Sequence, residues 1–164
     1  MSNSSPSQIL FVCTGNTCRS PMAEALARHL SRSVEGWDFA SAGVFAREGQ
    51  PASQQAVTVM KESGIDISGH VSRQLTPARA EASDYIVALT EGHADLIREN
   101  FPEAAGKIHT LHSYNPANAG RDVMDPFGGS VESYRKTRDE IESALSDLIL
   151  SVVTPSLKTQ QEKL

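Results

Sequence analysis

The chain has 164 residues, 39% of them hydrophobic and 21% charged, which is ordinary for one soluble globular domain with a sizeable core. Its formal net charge is −5 and it contains no long run of Lys or Arg, which argues against nucleic acid as a partner. No apolar stretch approaches the roughly 20 residues that span a bilayer, which argues against a membrane protein.

The two ends and the two cysteines suggest where the protein works. Residues 1–7 are polar and carry no positive charge, so we predict a short disordered lead-in rather than a signal peptide. Residues 8–154 are predicted to form a single domain and residues 155–164 a frayed tail. Cys13 and Cys18 are too close in sequence for a long-range disulfide, which favours a reducing, cytoplasmic location. We expect a monomer.

The first predicted elements are a strand, a tight loop and a helix. Residues 8–12 form a short apolar run typical of a buried strand. From Met22 onward, apolar residues recur with the spacing of one helix face. Ser20 suits the N-cap of this helix, Pro21 its first position and Glu24 its first turn.

The rest of the chain repeats this alternation. Further strands are predicted at residues 37–42, 84–89 and 107–111. Helices are predicted at residues 54–63, 76–82 and 91–100, followed by a last helix that begins at Ser130 and is ended by Pro155. Residues 112–129 are rich in Asn, Pro and Gly and are predicted to be a long loop, a kind of segment that often carries function.

This order of elements predicts the fold class. Four strands that alternate with helices indicate an α/β protein with an open, doubly wound, four-stranded parallel sheet and helices on both faces. Ligands of such sheets bind beyond the carboxyl ends of the strands. The loop that starts at Cys13 lies at that edge.

Residues 13–20, CTGNTCRS, combine a cysteine with an arginine six positions later and a serine after it. A loop that leads from a strand into a helix points backbone N–H groups inward and forms an anion cradle. Arg19 can grip two phosphate oxygens, and the same positive field favours the reactive thiolate of Cys13, to which Ser20 can donate. The predicted phosphate-binding residues are Thr14, Gly15, Asn16, Thr17, Cys18, Arg19 and Ser20.

A nucleophile at the floor of an anion site predicts phosphoryl transfer through a covalent intermediate. A lone cysteine at the end of a strand is usually a small core residue, but Arg19 and Ser20 at these offsets favour catalysis by Cys13. A zinc site is disfavoured because only two cysteines are present and no Cys/His pair completes the ligands. A nucleotide-binding loop is excluded because no Gly-Lys-Ser/Thr follows. We expect no metal and no organic cofactor.

The segment VCTGNTCRSPMAE at residues 12–24 resembles the signature of the low-molecular-weight protein tyrosine phosphatases. The resemblance extends from residue 9 to about residue 150 and includes SAG at 41–43, HVSR at 70–73 and Asp-Pro at 125–126. It implies a hydrolase in which Asp125 protonates the leaving group and then activates water. It also implies that Asn16, Ser41 and His70 brace the phosphate loop, by which we mean residues 13–20. From the residues alone, Asp125 fits an ordinary turn and His70 a surface histidine.

Two departures from the usual tyrosine-phosphatase pattern concern the substrate. Thr17 stands where that pattern commonly has an aliphatic residue, and Phe127 follows Asp-Pro where tyrosines are common. The stretches CTGNTCRSPMAE, SAGVFA and DPFGGS are similar to the bacterial protein-arginine phosphatases of this family, in which the matching threonine helps select phosphoarginine.

The chemistry of these side chains favours a basic substrate. The hydroxyl of Thr17 can accept from a guanidinium or orient water, and Phe127 offers a face for a planar cation. The substrate would be a phosphorylated protein, and the carboxylates of Asp125 and Glu91 would attract a basic side chain of it rather than a neutral ring. Because Thr and Ile are similar in shape, phosphotyrosine stays the alternative substrate.

Three further hypotheses stay open. An arsenate reductase of the thioredoxin-coupled type needs cysteines in a later segment, and this chain has none after Cys18. A non-catalytic phosphoprotein-binding module would need neither Cys13 nor Asp125. Cys18 is either a packing residue or a resolving thiol that traps oxidised Cys13 as a disulfide, which would make the enzyme redox-regulated.

Overall fold

The sheet has four parallel strands, as predicted. The structure is a computed structural model and describes residues 5–155; most of the predicted lead-in and tail lies outside these residues. The strands run at β1 Ser7–Cys13, β2 Trp37–Gly43, β3 Tyr85–Ala88 and β4 Ile108–Thr110. They lie in the order β2-β1-β3-β4, and each neighbouring pair is parallel. Ser7, assigned to the lead-in from sequence, already belongs to β1.

Five α-helices alternate with these strands within residues 5–155. They are α1 Arg19–Leu30, α2 Gln54–Glu62, α3 Pro77–Glu81, α4 Glu91–Asn100 and α5 Val131–Leu148. Short 3₁₀ turns lie at Pro102–Lys107 and Leu111–Tyr114, and α5 continues into a π-helical turn at Ile149–Val153. In the described part of the chain, none of the helices has the length and apolar character that crossing a membrane requires.

The sheet is covered on both faces, and the residues of β1 alternate between them. Ile9 and Phe11 pack into the larger core cluster, which includes residues of α1, α2 and α5. Leu10 and Val12 pack into the second cluster, with residues of α3 and α4. Since successive side chains of a strand point to opposite faces, the continuous apolar run of β1 fits a strand buried on both sides.

The start of α1 differs from the prediction. The helix begins at Arg19, with Cys18 in the N-cap position, so Ser20 lies inside the helix and Glu24 is outside its first turn. The physical reason is that the Ser20 hydroxyl is engaged elsewhere, with Cys13 and Asn16, and is not available to cap. The predicted last helix is regular α-helix to Leu148 and continues as a π-helical turn to Val153, so the helical segment ends just before Pro155, as predicted.

Candidate active site

The loop between β1 and α1 lies at the carboxyl edge of the sheet, against the end of β2. Its carbonyls at Cys13 and Thr14 accept from the backbone N–H groups of Val44 and Phe45 at 3.0 and 2.9 Å. A Cβ atom on Gly43 would lie 2.4 Å from the Thr14 carbonyl oxygen, closer than real Cβ contacts come. Glycine is therefore required at position 43 for the loop to approach the strand.

Asn16 holds this loop in shape from inside. It is fully buried and takes a left-handed backbone conformation with φ of 57°. Its Nδ2 donates to the hydroxyls of Ser20 at 2.8 Å and Ser41 at 2.9 Å, and its Oδ1 accepts from the backbone N–H of Arg73 at 2.9 Å. The Asn16 carbonyl oxygen lies 2.8 Å from Nε2 of His70. Asn16, Ser41 and His70 thus lie together, whereas the contact to the backbone of Arg73 was not predicted.

The sulfur of Cys13 is oriented by Ser20. Cys13 is buried, and its Sγ lies 2.9 Å from the Ser20 Oγ. Because the Ser20 oxygen accepts from Asn16, its own proton is free to donate, and the nearest other acceptor, the Ala42 carbonyl oxygen, is 3.5 Å away. Ser20 therefore donates to the sulfur.

The amino end of α1 is built differently from those of the other helices. Within residues 5–155, α1 has no side-chain cap, whereas each of the other α-helices is capped by a hydroxyl oxygen that accepts a backbone N–H. These capping residues are Ser53, Thr76, Thr90 and Ser130. The first N–H groups of α1 are left for another acceptor, and a helix amino end attracts an anion.

Arg19 joins the phosphate loop to the aspartate loop, by which we mean residues 115–130. The Arg19 guanidinium is buried and donates through Nη1 to the Val123 carbonyl oxygen at 3.1 Å. Its Nη2 lies 3.5 Å from Oδ2 of the half-exposed Asp125. Asp125 thereby lines the same pocket as Cys13 and Arg19, with its side chain half exposed to solvent.

Two further contacts anchor the aspartate loop, and sequence reasoning missed both. The backbone N–H of Val123 donates to the Leu89 carbonyl oxygen at 3.0 Å. Oδ1 of Asp122 accepts from the backbone N–H of Glu91 at 2.8 Å. Glu91, expected to attract a basic substrate, is the first residue of α4 and does not line the pocket. These contacts fix the chain just before Asp125.

The pocket above the loop has a volume of about 220 Å³. Phe127 forms part of its wall and is 76% exposed, and its backbone N–H donates to Oδ1 of Asp125 at 3.1 Å. The lining residues are Cys13, Thr14, Gly15, Thr17, Cys18, Arg19, Asp125 and Phe127. All the predicted catalytic and selectivity residues therefore meet in one pocket, with Asn16, Ser20, Ser41 and His70 behind it.

Cys18 contacts three hydroxyl groups. Its Sγ lies 3.2 Å from the Tyr134 hydroxyl and 3.6 Å from the Ser53 hydroxyl, and the Thr17 hydroxyl is 3.7 Å away. Burial, together with the contact to Cys18, raises the pKa of Tyr134 to about 12, so the phenol keeps its proton. Cys13 and Cys18 are unpaired thiols in this structure. Tyr134 was not among the predicted site residues.

His93 is a second residue that sequence reasoning missed. It lies on α4, is 6% exposed, and its Nε2 is 2.9 Å from the Thr14 hydroxyl. Burial, and secondarily the charge of Arg19, lowers the pKa of His93 to about 4, so the ring is neutral near pH 7. No motif in the sequence links the two residues, which are 79 positions apart.

Comparison with known proteins identifies relatives along most of the chain. The protein is 48% identical over 143 residues to a protein-arginine-phosphatase of Geobacillus stearothermophilus, covering 87% of this chain and 94% of the relative. It is 36% identical over 141 residues to the low molecular weight protein-tyrosine-phosphatase PtpB of Staphylococcus aureus, covering 86% of this chain and 96% of the relative.

Solved structures agree with these matches. A cysteine-to-serine mutant of the YwlE arginine phosphatase, with a phosphorylated active-site serine, superposes with a TM-score of 0.84 at 40% identity and covers 88% of this chain and 95% of that one. The family model for low molecular weight phosphotyrosine protein phosphatases matches residues 8–162. The chain therefore belongs to the low molecular weight phosphotyrosine protein phosphatase family.

Proposed function

We propose that this chain is a protein-arginine phosphatase that acts through a thiophosphate intermediate on Cys13. The observation that carries the proposal is the pocket itself. A sulfur held by a donating hydroxyl 2.9 Å away, a buried guanidinium and a carboxylate meet at the uncapped amino end of a helix. This is the set of groups that thiolate-based phosphoryl transfer requires.

In the first step the phosphate binds to the backbone N–H groups of residues 14–20 and to Arg19. The thiolate of Cys13 attacks phosphorus, forming the S–P bond while the P–N bond to the substrate breaks. The electron pair of the P–N bond goes to the departing nitrogen and Asp125 donates its proton there, so the phosphoguanidinium substrate releases arginine as a guanidinium cation. Arg19 neutralises charge on the phosphoryl oxygens throughout.

In the second step the thiophosphate is hydrolysed. Asp125, now a carboxylate, accepts a proton from a water molecule that attacks phosphorus. The S–P bond breaks, inorganic phosphate leaves, and Ser20 again donates to the freed thiolate. The phosphorylated serine in the active site of the related arginine phosphatase supports a covalent intermediate on the residue that matches Cys13.

The choice of phosphoarginine over phosphotyrosine is supported by Thr17 and Phe127, which line the pocket with Asp125. A hydroxyl and a carboxylate can accept from the guanidinium N–H groups, and the Phe127 ring can stack on their plane. Relatives named as arginine phosphatases are also more similar to this chain than the tyrosine phosphatase PtpB, at 48% against 36% identity. Phosphotyrosine is the alternative substrate.

The test is a side-by-side measurement of kcat/KM on a phosphoarginine peptide and a phosphotyrosine peptide. Cys13→Ser serves as the blank and Thr17→Ile as the probe of selectivity. We expect the wild type to prefer phosphoarginine and Thr17→Ile to reverse that preference. A preference for phosphotyrosine that Thr17→Ile leaves unchanged would make the protein a tyrosine phosphatase and contradict the substrate assignment.

A rapid-mix experiment separates the enzyme from a phosphoprotein-binding module. Catalysis predicts a burst of leaving group close to one equivalent of enzyme, with phosphate trapped on Cys13 by acid quench. We expect Asp125→Asn to slow this burst, because the substituted side chain has no carboxyl proton to give to the leaving group. Binding of phosphopeptide with no burst in the wild type would indicate a binding module.

We further propose that Cys18 is a resolving thiol. Peroxide oxidises the Cys13 thiolate to a sulfenic acid, and attack by the Cys18 sulfur forms a disulfide and releases water. Added thiol then restores both cysteines by exchange. We expect wild type to recover after peroxide more completely than Cys18→Ala, with Cys18→Ser as a second variant. Equal recovery of all three proteins would contradict the proposal.

We propose that the protein works as a monomer in the cytoplasm. Two unpaired thiols, one of them the nucleophile, favour a reducing compartment. Cell fractionation tests the location, and light scattering at micromolar concentration tests the oligomeric state. A dimeric mass under those conditions, or recovery from an oxidising compartment, would overturn the respective proposal.

A further inference from the structure

His93 is a buried titratable group beside the phosphate loop that the mechanism above does not use. Its ring lies behind Thr14, the residue that follows the nucleophile and lines the pocket. Nε2 of His93 and the Thr14 hydroxyl oxygen are 2.9 Å apart. The His93 backbone N–H donates to the Thr90 hydroxyl oxygen at 3.0 Å, which holds this residue in the first turn of α4.

The other ring nitrogen determines the tautomer. Nδ1 of His93 is buried and has no hydrogen-bond partner among residues 5–155. Buried N–H groups without an acceptor are rarer and more costly than buried acceptors without a donor. The favoured tautomer therefore carries its proton on Nε2, and the ring donates to the oxygen of Thr14.

This donation determines where the Thr14 hydroxyl proton points. Within the described residues, His93 is the side-chain partner of that hydroxyl. Because the oxygen accepts from the ring, its own proton is directed away from the ring, and Thr14 lines the pocket. The hydroxyl then becomes an additional donor for a phosphate oxygen, beside the backbone N–H groups of the loop.

The charges around His93 determine whether the ring stays neutral. Arg19 disfavours protonation, while Asp122 and Asp125 favour it. Burial is the largest influence, and the ring remains uncharged near neutral pH. Protonation would add a second cation beside Arg19 but would leave the Nε2–H donor in place, so acid conditions alone do not remove the contact to Thr14.

We propose that His93 is a positioning residue for phosphoryl transfer: through Nε2–H it fixes the Thr14 hydroxyl so that this hydroxyl donates to the transferred phosphoryl group. The proposal rests on phosphoryl transfer at Cys13 and is independent of whether arginine or tyrosine carries the phosphate. A substrate that contains neither side chain, p-nitrophenyl phosphate, therefore serves as the probe, with Cys13→Ser as the blank.

The decisive experiment is a double-mutant cycle between His93→Leu and Thr14→Val. We expect each single change to lower kcat/KM about tenfold, the effect of one lost hydrogen bond in the transition state. The double variant should be no slower than either single variant, because both changes remove the same donor. His93→Gln, whose amide can reach the Nε2 position, should stay within about twofold of wild type, whereas His93→Asn should behave as His93→Leu.

His112 provides a matched control. It is 5% exposed, its Nε2 lies 2.8 Å from a Glu140 carboxylate oxygen, and its Nδ1 has no partner among the described residues, yet it does not line the pocket. We expect His112→Leu to lower stability while kcat/KM of the folded enzyme stays within about twofold. A loss equal to that of His93→Leu would show that any buried histidine is needed and would overturn the proposal.

A second measurement does not depend on activity. Nitrogen chemical shifts of the His93 ring, read from a long-range ¹⁵N–¹H spectrum at pH 7, distinguish the two neutral tautomers. We expect the proton on Nε2. A proton on Nδ1 would overturn the proposal. So would a double variant whose loss of kcat/KM is the product of the two single losses, or full activity of Thr14→Val. If Cys13→Ser were as active as wild type, the proposed function would fail instead, and the ring tautomer would still be measurable.

Discussion

Replacing Asn16 by alanine tests whether the buried network holds the phosphate loop. The side chain donates to Ser20 and Ser41 and accepts from the Arg73 backbone, and all three contacts lie between 2.8 and 2.9 Å. Asn16→Ala removes all of them at a site that is fully buried. It also leaves an alanine in the left-handed conformation, with φ of 57°.

The expected cost follows from these contacts. Three hydrogen bonds at about 1 kcal/mol each give about 3 kcal/mol. Left-handed backbone adds about 1 kcal/mol for alanine relative to a residue that tolerates it. The free energy of unfolding should therefore fall by about 4 kcal/mol, less than the roughly 5–15 kcal/mol of a typical domain, so the variant still folds. Asn16→Gly loses the same hydrogen bonds without the strain and should be about 1 kcal/mol more stable than Asn16→Ala.

Activity should fall further than stability explains. Without Asn16 the Ser20 hydroxyl is no longer oriented toward the Cys13 sulfur, and kcat/KM of the folded enzyme should drop on the order of 10- to 100-fold. Urea denaturation followed by the fluorescence of Trp37, the single tryptophan, measures the free energy of unfolding. Hydrolysis of p-nitrophenyl phosphate measures activity.

Asn100→Ala, an exposed asparagine at the end of α4, is the matched control and should change stability by less than about 0.5 kcal/mol. Two results would refute the reasoning about Asn16. A loss below about 1 kcal/mol with kcat/KM within twofold of wild type would show that the network does not hold the loop. Equal stability of Asn16→Ala and Asn16→Gly would show that the backbone at this position is not strained.

Three further predictions concern the surroundings of the loop. Gly43→Ala should cost about 2–3 kcal/mol and most of the activity because its Cβ meets the Thr14 carbonyl, whereas Gly69→Ala, with open space around it, should do neither. The pKa of His93 is lowered from 6.5 to about 4 in the folded protein, so between these pH values the unfolded chain binds a proton that the folded protein does not. The free energy of unfolding should therefore fall as the pH drops from 6.5 to 4. Urea midpoints that fall equally in His93→Gln would contradict this. Asp122→Ala should lower kcat severalfold while Asp122→Asn, which keeps the accepting oxygen, should not; equal values would show that this anchor does not position the aspartate loop.

The fold could be predicted because its signals are local. An apolar run such as that of β1 and the helical spacing after Met22 depend only on neighbouring residues, and they identified the strands and helices to within a few positions. That Cys13 and Arg19 share one pocket could be predicted for the same reason, since the loop that holds both is contiguous.

The contacts that neither the loop motif nor the family resemblance indicated could not be predicted, because they join distant segments. The hydroxyl of Thr14 meets a ring 79 positions away, Cys18 meets Tyr134 across 116 positions, and Arg19 meets a carbonyl 104 positions away. Tyr134 is one of the buried residues of α5, but helical spacing carries no information about where a tyrosine hydroxyl points. Such pairings depend on the order of strands in the sheet, which a single sequence does not specify.

Ser20 shows how a local rule fails at a functional position. A serine before a proline at a helix start is a favourable N-cap, and a hydroxyl that caps would use its oxygen to accept a backbone N–H. In this protein the same oxygen accepts from Asn16 and its proton faces Cys13. The helix instead begins at Arg19 without a side-chain cap, which leaves its first N–H groups for the phosphate. Ser20→Ala should therefore lower activity through the sulfur with little change in helix stability, whereas Ser53→Ala, a true cap, should lower stability by about 1 kcal/mol.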